Sequence, residues 1–397
     1  MTIRTIALLG ISLLGTASAA SSCNPLSATG CAADTALATS FAEDFTQESS
    51  RFYNETDSGS ITYSTESHLG MTLAERYDAP TLISDFYLMY GRVEVELLAA
   101  NGTGIVSSFF LQSDDLDELD WEWLGGDTTQ VQSNYFSKGN TTTYDRGEYH
   151  TVTSPQQTWH NYTIDWSMNA TTWYIDGVAV RTLANSSSQG YPQSPMLLRM
   201  GVWAGGDSSN AAGTIEWAGG ETDYTQAPFT MYVRRIVVAD YSSGDSYSYG
   251  DTSGDWESID AENGSVYGRY SEAVEEFDLL VEGSTISNST STSISAAISS
   301  STSYATTLGN STTTTAQRSS DTVATETEST TILESSSATN TRFTTAVSSS
   351  AYSSTRTSTR ASSGNSTTYS ASTNSNDGTH AINPSIFFIF MSLASLF

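Results

Sequence analysis

The residues best suited to chemistry lie in the segment 116–125, Leu-Asp-Glu-Leu-Asp-Trp-Glu-Trp-Leu-Gly, in which acidic and apolar side chains alternate. Because successive side chains of a β-strand point to opposite faces, Glu118, Asp120 and Glu122 would share one face, with no Lys or Arg among them. Like charges one pleat apart repel each other, which raises the pKa of at least one of these carboxyl groups. A retaining glycosidase uses two such groups, one as nucleophile and one as general acid and base. The segment therefore predicts a glycosidase-type site.

The competing interpretation is an ordinary amphipathic strand whose polar face lies in water. A solvated face normally mixes charges of both signs, whereas this one is uniformly acidic, and the intervening Trp121 and Trp123 indicate a heavily buried sheet. A retaining glycosidase needs its two carboxyl groups about 5 to 5.5 Å apart, but Cα atoms four residues apart on a flat strand are separated by roughly 13 Å. The spacing therefore predicts a concave sheet on which the long side chains of Glu118 and Glu122 lean together.

The segments around this strand predict the elements that must position it. Short alternating runs rich in Val, Tyr, Trp and Thr, such as 93–97 and 231–238, are separated by Gly, Asn, Asp and Ser. Such runs, with few long helical patterns between them, indicate an all-β sandwich. The pair Asp176-Gly177 between two runs is typical of a β-hairpin. We expect one catalytic domain of this kind over residues 21–245.

The composition changes twice after this domain. Residues 246–283 contain fewer apolar residues and more Ser, Gly, Asp and Tyr, with one helix-like patch at 271–281. We predict that they form an acidic connector outside the main core. Residues 284–376 are dominated by Ser and Thr, and such a segment cannot offset its conformational entropy by burying apolar surface. We expect a disordered, glycosylated Ser/Thr-rich stalk there.

The first 20 residues resemble a secretory signal peptide. Arg4 precedes an apolar run at 6–14, and small residues follow at 17–19 as a cleavage site. The competing interpretation, a membrane-spanning helix, needs a longer apolar run than this one. We therefore expect residues 1–20 to be removed on export.

The last residues resemble a signal for attachment of a glycosylphosphatidylinositol (GPI) lipid. An apolar tail at 386–397 follows small residues at a suitable spacer distance. We expect a propeptide over 377–397 and a lipid anchor at Asn376, with Asn374 as the alternative. A buried core strand is the competing interpretation of the tail.

Export agrees with the two cysteines, Cys23 and Cys31, which we expect to pair in an oxidising compartment. Two free thiols are the alternative. Asn-x-Ser/Thr sequons recur along the chain, and on an exported protein they predict N-glycosylation. The candidate asparagines are Asn54, Asn101, Asn140, Asn161, Asn169, Asn185, Asn263, Asn288, Asn310 and Asn365.

The charge of the chain limits its partners. With 44 acidic and 15 basic residues, the formal net charge is −29, which argues against nucleic acid or an anionic membrane as a partner. A neutral polysaccharide is compatible with this charge. The sequence shows no cluster of metal-ligating residues, so we expect neither a metal nor another cofactor. We expect a monomer that contacts the membrane through its lipid anchor alone.

Taken with its neighbours in the chain, the acidic segment resembles glycoside hydrolase family sixteen and, within it, the fungal Crh-type cell-wall transglycosylases. The resemblance covers most of residues 23–240, and the order of the matching blocks makes it more specific than the acidic segment alone. Besides that segment, the matching blocks are 23–26, 90–95, 107–113, 159–166, 199–207 and 213–220. The resemblance implies a β-jelly-roll sandwich with a concave, aromatic-lined substrate cleft.

The resemblance also implies roles for individual residues. By position, Glu118 is the nucleophile, Glu122 is the general acid and base, and Asp120 tunes Glu118 through a short hydrogen bond. The positions that match sugar-contacting residues are Arg199, Trp203 and Thr214, with Trp217 as a stacking platform. Without the resemblance, the two tryptophans are as compatible with the core as with the cleft, because aromatic residues dominate protein cores.

These implications predict a retaining transglycosylase that cleaves β-1,4-linked chitin and transfers it to chitin or to β-1,3/1,6-glucan, thereby crosslinking the fungal cell wall. The expected location is the cell wall and the outer face of the plasma membrane. A β-glucan hydrolase with the same carboxylates is one alternative, since residue types do not report whether sugar or water is the acceptor. A non-catalytic wall lectin or adhesin is the other, and it would be favoured by the loss of Glu118 or Glu122.

Overall fold

Alternating polar and apolar residues form strands along most of the described chain. The computed structural model describes residues 23–286 of the 397-residue protein. Within them the strands are β1 Asp34–Thr35, β2 Ser40–Glu43, β3 Phe52–Asn54, β4 Ser60–Ser64, β5 His68–Leu73, β6 Thr81–Leu88, β7 Gly91–Leu98, β8 Ile105–Ser113, β9 Glu118–Leu124, β10 Gln130–Phe136, β11 Glu148–Thr151, β12 His160–Trp166, β13 Ala170–Ile175, β14 Val178–Ala184, β15 Met196–Ala204, β16 Phe229–Asp240, β17 Ser246–Tyr249 and β18 Ile259–Glu262. The α-helices in the same range are α1 Ala212–Trp217 and α2 Tyr270–Val281.

The strands form two large antiparallel sheets that pack face to face. One has seven strands in the order β11-β10-β9-β8-β15-β6-β3, and the other has eight, in the order β14-β13-β12-β7-β16-β5-β4 with β2 beside β16. Indole N–H groups bridge the sheets: Trp121 donates to the Thr163 carbonyl at 3.4 Å, and Trp173 donates to the Asp120 carbonyl at 3.1 Å. The predicted all-β sandwich is therefore confirmed, and its architecture is that of a β-jelly roll.

The inner face of β9 is held by aromatic packing. Trp121 and Trp123 are fully buried, and both rings pack edge-to-face with Tyr162, with centroids 5.6 and 4.6 Å away. Truncating a buried Trp to Ala typically costs about 3–5 kcal/mol. A slip of β9 by one residue would expose both indoles, so this packing fixes which side chains point outward.

The predicted hairpin at Asp176-Gly177 is confirmed as the connection between β13 and β14. Both residues have positive φ angles, 49° and 76°, as a two-residue turn matching the right-handed twist of its strands requires. The Asp176 side chain accepts from the Asn161 backbone N–H at 3.0 Å, which ties the turn to β12.

The prediction that residues 246–283 lie outside the main core was wrong. Strand β17 pairs with β1 on one side and with β18 on the other in a three-stranded sheet, and Tyr247 on β17 is fully buried. Helix α2 packs on β16 and β2, and its Ala273, Phe277 and Leu280 are buried in the same core as the sandwich. The average apolar content of the segment is low, but helical spacing places Ala273, Phe277 and Leu280 on one face of α2. A few apolar residues are therefore enough to bury that face.

Polar contacts also fasten α2 to the sandwich. Arg269, just before the helix, donates to the Asp240 carbonyl at 2.9 Å and pairs with Glu276 at 2.6 Å. Arg235 on β16 donates to the Leu280 carbonyl at the other end of the helix. The folded unit thus continues through Val281, well beyond the boundary predicted at residue 245.

The predicted disulfide is confirmed, with Cys23 and Cys31 bonded and their Cα atoms 5.6 Å apart. Of the sequon asparagines within residues 23–286, Asn161 is partly buried and the other six are exposed. No helix in that range combines the length and apolar character needed to cross a membrane. The predictions for residues 1–20, 287–376 and 377–397, including Asn288, Asn310, Asn365, Asn374 and Asn376, lie outside the described residues.

Candidate active site

Strand β9 presents three acidic side chains on the outer face of the seven-stranded sheet, as the alternation predicted. We call this the carboxylate face and define it by Glu118, Asp120 and Glu122. The register with β8 and β10 is unbroken along this stretch. The cross-strand neighbours are Gln112 and Phe136 for Glu118, Phe110 and Asn134 for Asp120, and Ser108 and Gln132 for Glu122. The acids therefore lie in the middle of the sheet, flanked on both sides by strands.

A tight turn before β9 fixes where the strand begins. Leu116 has a left-handed φ of 66°, and the Asp117 N–H donates to the Ser113 hydroxyl at 2.8 Å. The carboxylate of Asp117 is fully buried and accepts from Lys138 Nζ at 2.8 Å and from the Gln193 N–H at 2.7 Å. Asp117 thus anchors the turn, and its side chain is already occupied by these donors.

Glu118 lies in a nearly closed environment, with 4% of its surface exposed. Its Oε2 atom accepts a 2.5 Å hydrogen bond from the Gln112 side-chain amide. Burial raises the pKa of Glu118, while hydrogen bonds from Asp120 and Gln112 and the charge of Arg199 act in the opposite direction. The carboxylate form is therefore supported by three polar neighbours, which suits a nucleophile.

Asp120 lies between the two glutamates and is as buried as Glu118. Burial, followed by the negative charges of Glu118 and Glu122, raises the pKa of Asp120 well above its usual range. In its protonated form Asp120 donates a hydrogen bond to Glu118. Its Oδ2 atom is buried and has no hydrogen-bond partner within residues 23–286. The raised pKa of Asp120 thus favours its protonated, hydrogen-bond-donating form beside Glu118.

Glu122 is partly exposed at the far end of the carboxylate face. Burial of its carboxyl group and the negative charge of Glu118 raise the pKa of Glu122 to about 8. No positively charged group within residues 23–286 lowers the pKa of Glu122, whereas Arg199 lowers the pKa of Glu118. Glu122 therefore carries a proton at neutral pH, as a general acid must.

Arg199 lies on β15, two strands from β9, and is 4% exposed. Its guanidinium donates to Gln112 Oε1 at 2.7 Å and to the carboxylate of Glu55 at 3.2 and 3.3 Å. Sequence reasoning identified Arg199 but missed Gln112 and Glu55. The structure joins Glu55, Arg199, Gln112 and Glu118 into one continuous chain of hydrogen bonds.

Two tryptophans named from the sequence lie together at the edge of the site. The rings of Trp203, on β15, and Trp217, at the end of α1, are stacked with centroids 6.2 Å apart and an interplanar angle of 28°. Both are partly exposed. Thr214, one turn earlier in α1, is fully buried. The helix thus presents Trp217 to the surface while Thr214 faces inward.

A further aromatic residue of the site, Tyr149 on β11, was missed by sequence reasoning. Tyr149 is 49% exposed and lies opposite Gln132, which in turn lies opposite Glu122. Gln132 accepts from the Trp217 indole at 3.1 Å. Burial raises the pKa of Tyr149, and the nearby Glu122 charge adds to the increase. The aromatic wall formed by Tyr149, Trp203 and Trp217 therefore stands on the Glu122 side of the carboxylate face.

A cavity of about 600 Å³ opens at the lateral edge of the sandwich, between β3 and β4, and Tyr53, Asn54 and Asp85 contribute to its lining. Glu55, the partner of Arg199, follows directly after β3. The cavity thus lies at the end of the sheet opposite to Tyr149. Within residues 23–286, no group of three or more His, Cys, Asp or Glu side chains is arranged to hold a metal ion.

Comparisons with known proteins match this part of the chain. Residues 48–219 match the model of glycosyl hydrolases family 16. Congo red hypersensitive protein 1 of Saccharomyces cerevisiae is 64% identical over 272 residues, covering 68% of this chain and 54% of that protein. Crh-like protein 1 of Aspergillus fumigatus is 48% identical over 287 residues, covering 71% of this chain and 73% of that protein. The chain thus spans about half the length of its yeast relative.

A solved structure gives the same similarity in three dimensions. The Crh5 transglycosylase in complex with NAG is 51% identical to this chain and superposes with a TM-score of 0.58. The match covers 60% of this chain and the whole of that one. The residues matched by the family model, 48–219, include Glu118, Asp120 and Glu122.

Proposed function

The chain belongs to glycosyl hydrolase family 16, and from this membership we propose that it is a retaining transglycosylase of the fungal cell wall. It cleaves β-1,4-linked chitin and transfers the released portion to chitin or to β-1,3/1,6-glucan. The 51% identical transglycosylase was solved in complex with NAG, the sugar unit of chitin, which supports chitin as the donor. The transfer step would crosslink the polymers of the wall.

The observation that carries this proposal is the difference between the two glutamates of the carboxylate face. Glu118 receives a hydrogen bond from Gln112 and lies near the charge of Arg199, both of which favour its ionised form. Glu122 has no such support, and its pKa rises to about 8. One ionised and one protonated carboxyl group on the same face are what a double-displacement glycosidase requires.

In the first step, a Glu118 carboxylate oxygen attacks the anomeric carbon of the donor. The bond from that carbon to the glycosidic oxygen breaks, and the leaving oxygen takes the proton of Glu122. This step forms a covalent glycosyl ester on Glu118 and leaves Glu122 ionised. Asp120 donates its hydrogen bond to Glu118 and thus steadies the carboxylate before attack and when it leaves again.

In the second step, Glu122 removes a proton from an acceptor hydroxyl, whose oxygen attacks the anomeric carbon and displaces Glu118. A sugar hydroxyl gives transglycosylation, and water gives hydrolysis. Because Glu122 serves both the leaving group and the acceptor, the acceptor binds on its side of the face. The aromatic wall of Tyr149, Trp203 and Trp217 stands on that side and offers flat surfaces on which sugar rings can stack.

The same proposal locates the protein outside the cell. The Cys23–Cys31 disulfide agrees with folding in an oxidising compartment, and the exposed sequon asparagines agree with N-glycosylation. Signal peptide 1–20, stalk 284–376 and a lipid anchor at Asn376 remain sequence-based parts of the proposal. In this arrangement a monomer held at the outer face of the plasma membrane reaches the wall polymers.

The experiment that tests the proposal incubates the full chain with a chitin oligosaccharide donor and a fluorescent β-1,3-glucan acceptor. We expect labelled products longer than the acceptor, and we expect Glu118→Gln and Glu122→Gln to abolish them. Shortened chitin without labelled products would favour a hydrolase. Binding of both sugars without turnover would favour a lectin and overturn the proposal.

A further inference from the structure

We infer that Glu55 and Gln112 are positioning residues for the nucleophile, acting on Glu118 through Arg199 and through the orientation of one side-chain amide. The inference rests on the proposed role of Glu118 and adds two residues that themselves form and break no covalent bond: Gln112 contacts the Glu118 carboxylate by a hydrogen bond, and Glu55 acts through Arg199. It follows from the hydrogen-bonded chain that connects Glu55, just after β3, to Glu118 through residues of β15, β8 and β9.

The direction of each hydrogen bond in the chain is fixed by chemistry. A guanidinium carries donors and no acceptor, so the Gln112 atom that faces Arg199 at 2.7 Å must be the carbonyl oxygen Oε1. The amide nitrogen of Gln112 then faces Glu118 and donates to its Oε2 atom at 2.5 Å. Without Arg199, the amide could rotate by half a turn and present its oxygen to the carboxylate, which would repel it.

Glu55 fixes the other end of the chain. It receives two hydrogen bonds from Arg199, at 3.2 and 3.3 Å, and both side chains are largely withdrawn from solvent, with 15% and 5% of their surfaces exposed. A fork of this kind holds a guanidinium in a defined plane. Glu55 also balances the charge of Arg199, which would otherwise act undiminished on Glu118 because screening by water is weak there.

The groups that set the ionisation of Glu118 come from several elements. On its own strand, Asp120 interacts with Glu118 by a hydrogen bond, and Glu122 interacts with it by charge repulsion. The neighbouring strands contribute Gln112 from β8 and the uncharged Phe136 from β10. Beyond β8, the described residues add Arg199 from β15, whose charge is compensated by Glu55.

This arrangement predicts opposite effects for two substitutions. Glu55→Gln keeps the shape but removes the balancing charge, so the full positive charge of Arg199 acts on Glu118 and lowers its pKa. Gln112→Met keeps the length but removes the amide N–H, so the carboxylate loses a donor and its pKa rises. A residue that only maintained the fold would change the amount of active protein and not the pKa of the nucleophile.

The test measures pH profiles of kcat/KM for the full chain, with a chitin oligosaccharide donor and a fluorescent β-1,3-glucan acceptor. The variants are Glu55→Gln and Gln112→Met, and Glu118→Gln serves as the reference for loss of the nucleophile. The matched control is Glu96→Gln, which also removes the carboxylate of an arginine ion pair, with Arg234, but on the other sheet. Melting temperatures of all variants report any loss of folded protein.

We expect kcat to fall about 10- to 100-fold in both variants with KM changed less than about threefold, as for a misplaced reacting group. The acidic limb of the kcat/KM profile, which reports the pKa of Glu118, should move to lower pH in Glu55→Gln and to higher pH in Gln112→Met. It should not move in Glu96→Gln. Limbs that stay in place, or that move in the same direction, would overturn the inference. Full activity of Glu118→Gln would instead overturn the proposed function, so the two failures can be told apart.

Discussion

Glu118 and Glu122 project from the same face of β9 with Asp120 between them, yet their surroundings differ in charge. The carboxylate of Glu118 accepts from Gln112 and lies near Arg199, whose positive charge lowers its pKa. The pKa of Glu122 is raised by burial and by the negative charge of Glu118, and no positive charge in the described part of the chain offsets this increase. The sheet thus separates the pKa values of two identical side chains by the neighbours that it provides.

The first prediction is a bell-shaped dependence of kcat/KM on pH. Activity requires ionised Glu118, so it falls as pH drops below the raised pKa of that group. It also requires protonated Glu122, so it falls as pH rises above about 8. Initial rates measured from about pH 4 to pH 10 with a chitin oligosaccharide check both limbs, and constant activity through the alkaline range would contradict the role of Glu122.

The aromatic wall leads to a prediction on product partition. Trp217→Ala removes a stacking surface beside Glu122, while the Glu118 surroundings stay intact. We expect the ratio of transfer to hydrolysis to fall about fivefold, since stacking of one ring contributes on the order of 1 kcal/mol. Chromatography of labelled products gives the ratio. Trp159→Ala is the control, because Trp159 packs against Arg234 away from the carboxylate face; an equal effect in both variants would refute the acceptor role.

The position of α2 leads to a prediction on stability. Phe277 is 1% exposed in the core shared with the sandwich, so Phe277→Ala should lower the free energy of unfolding by about 3–5 kcal/mol. Val281→Ala, at an exposed site of the same helix, should change it by less than about 0.5 kcal/mol. Urea titrations followed by tryptophan fluorescence give both values. A small effect of Phe277→Ala would mean that α2 is not part of the cooperative unit.

The buried carboxyl group of Asp34 leads to a prediction on how the stability of the protein depends on pH. Burial, followed by the charges of Asp114 and Asp115, raises the pKa of Asp34 to about 8. Because this value exceeds that of the unfolded chain, the folded state binds an extra proton, and stability is lost as pH rises from about 4 to about 8. Asp34→Asn removes this loss, so the variant should gain a few kcal/mol relative to the parent between pH 5 and pH 8.

Thermal melts at several pH values test this prediction, with Asp260→Asn as the control at an exposed position of β18. A difference between Asp34→Asn and the parent that stays constant with pH would show that Asp34 is ionised in the folded protein.

The strand that carries the acids was predictable from local pattern. Alternation of Glu118, Asp120 and Glu122 with Trp121 and Trp123 indicates which face of the strand packs against the core between the sheets, and a period of two is read directly from the sequence. The hairpin at 176–177 was equally local, because it depends on two residues that tolerate positive φ. Local rules of this kind describe the sheet faces and the position of the acids.

Contacts that join distant parts of the chain were not predictable in the same way. Glu55 and Arg199 are 144 residues apart, and nothing in the sequence around either residue indicates the other. Tyr149 lies in a four-residue strand whose partner depends on sheet order. Helix α2 was recognised as a helix, but its burial depends on three side chains that the average composition of 246–283 conceals.

The central claim is that Glu118 forms a covalent bond to the sugar while Glu122 transfers protons. Azide rescue tests it directly, with a chitin oligosaccharide that carries an activated nitrophenyl leaving group as the donor. In Glu118→Ala, azide should occupy the vacated space and yield the α-glycosyl azide by one inversion. In Glu122→Ala, azide should react with the glycosyl ester on Glu118 and yield the β-glycosyl azide by two inversions. The reverse assignment of products, or a β-product from Glu118→Ala, would contradict the account.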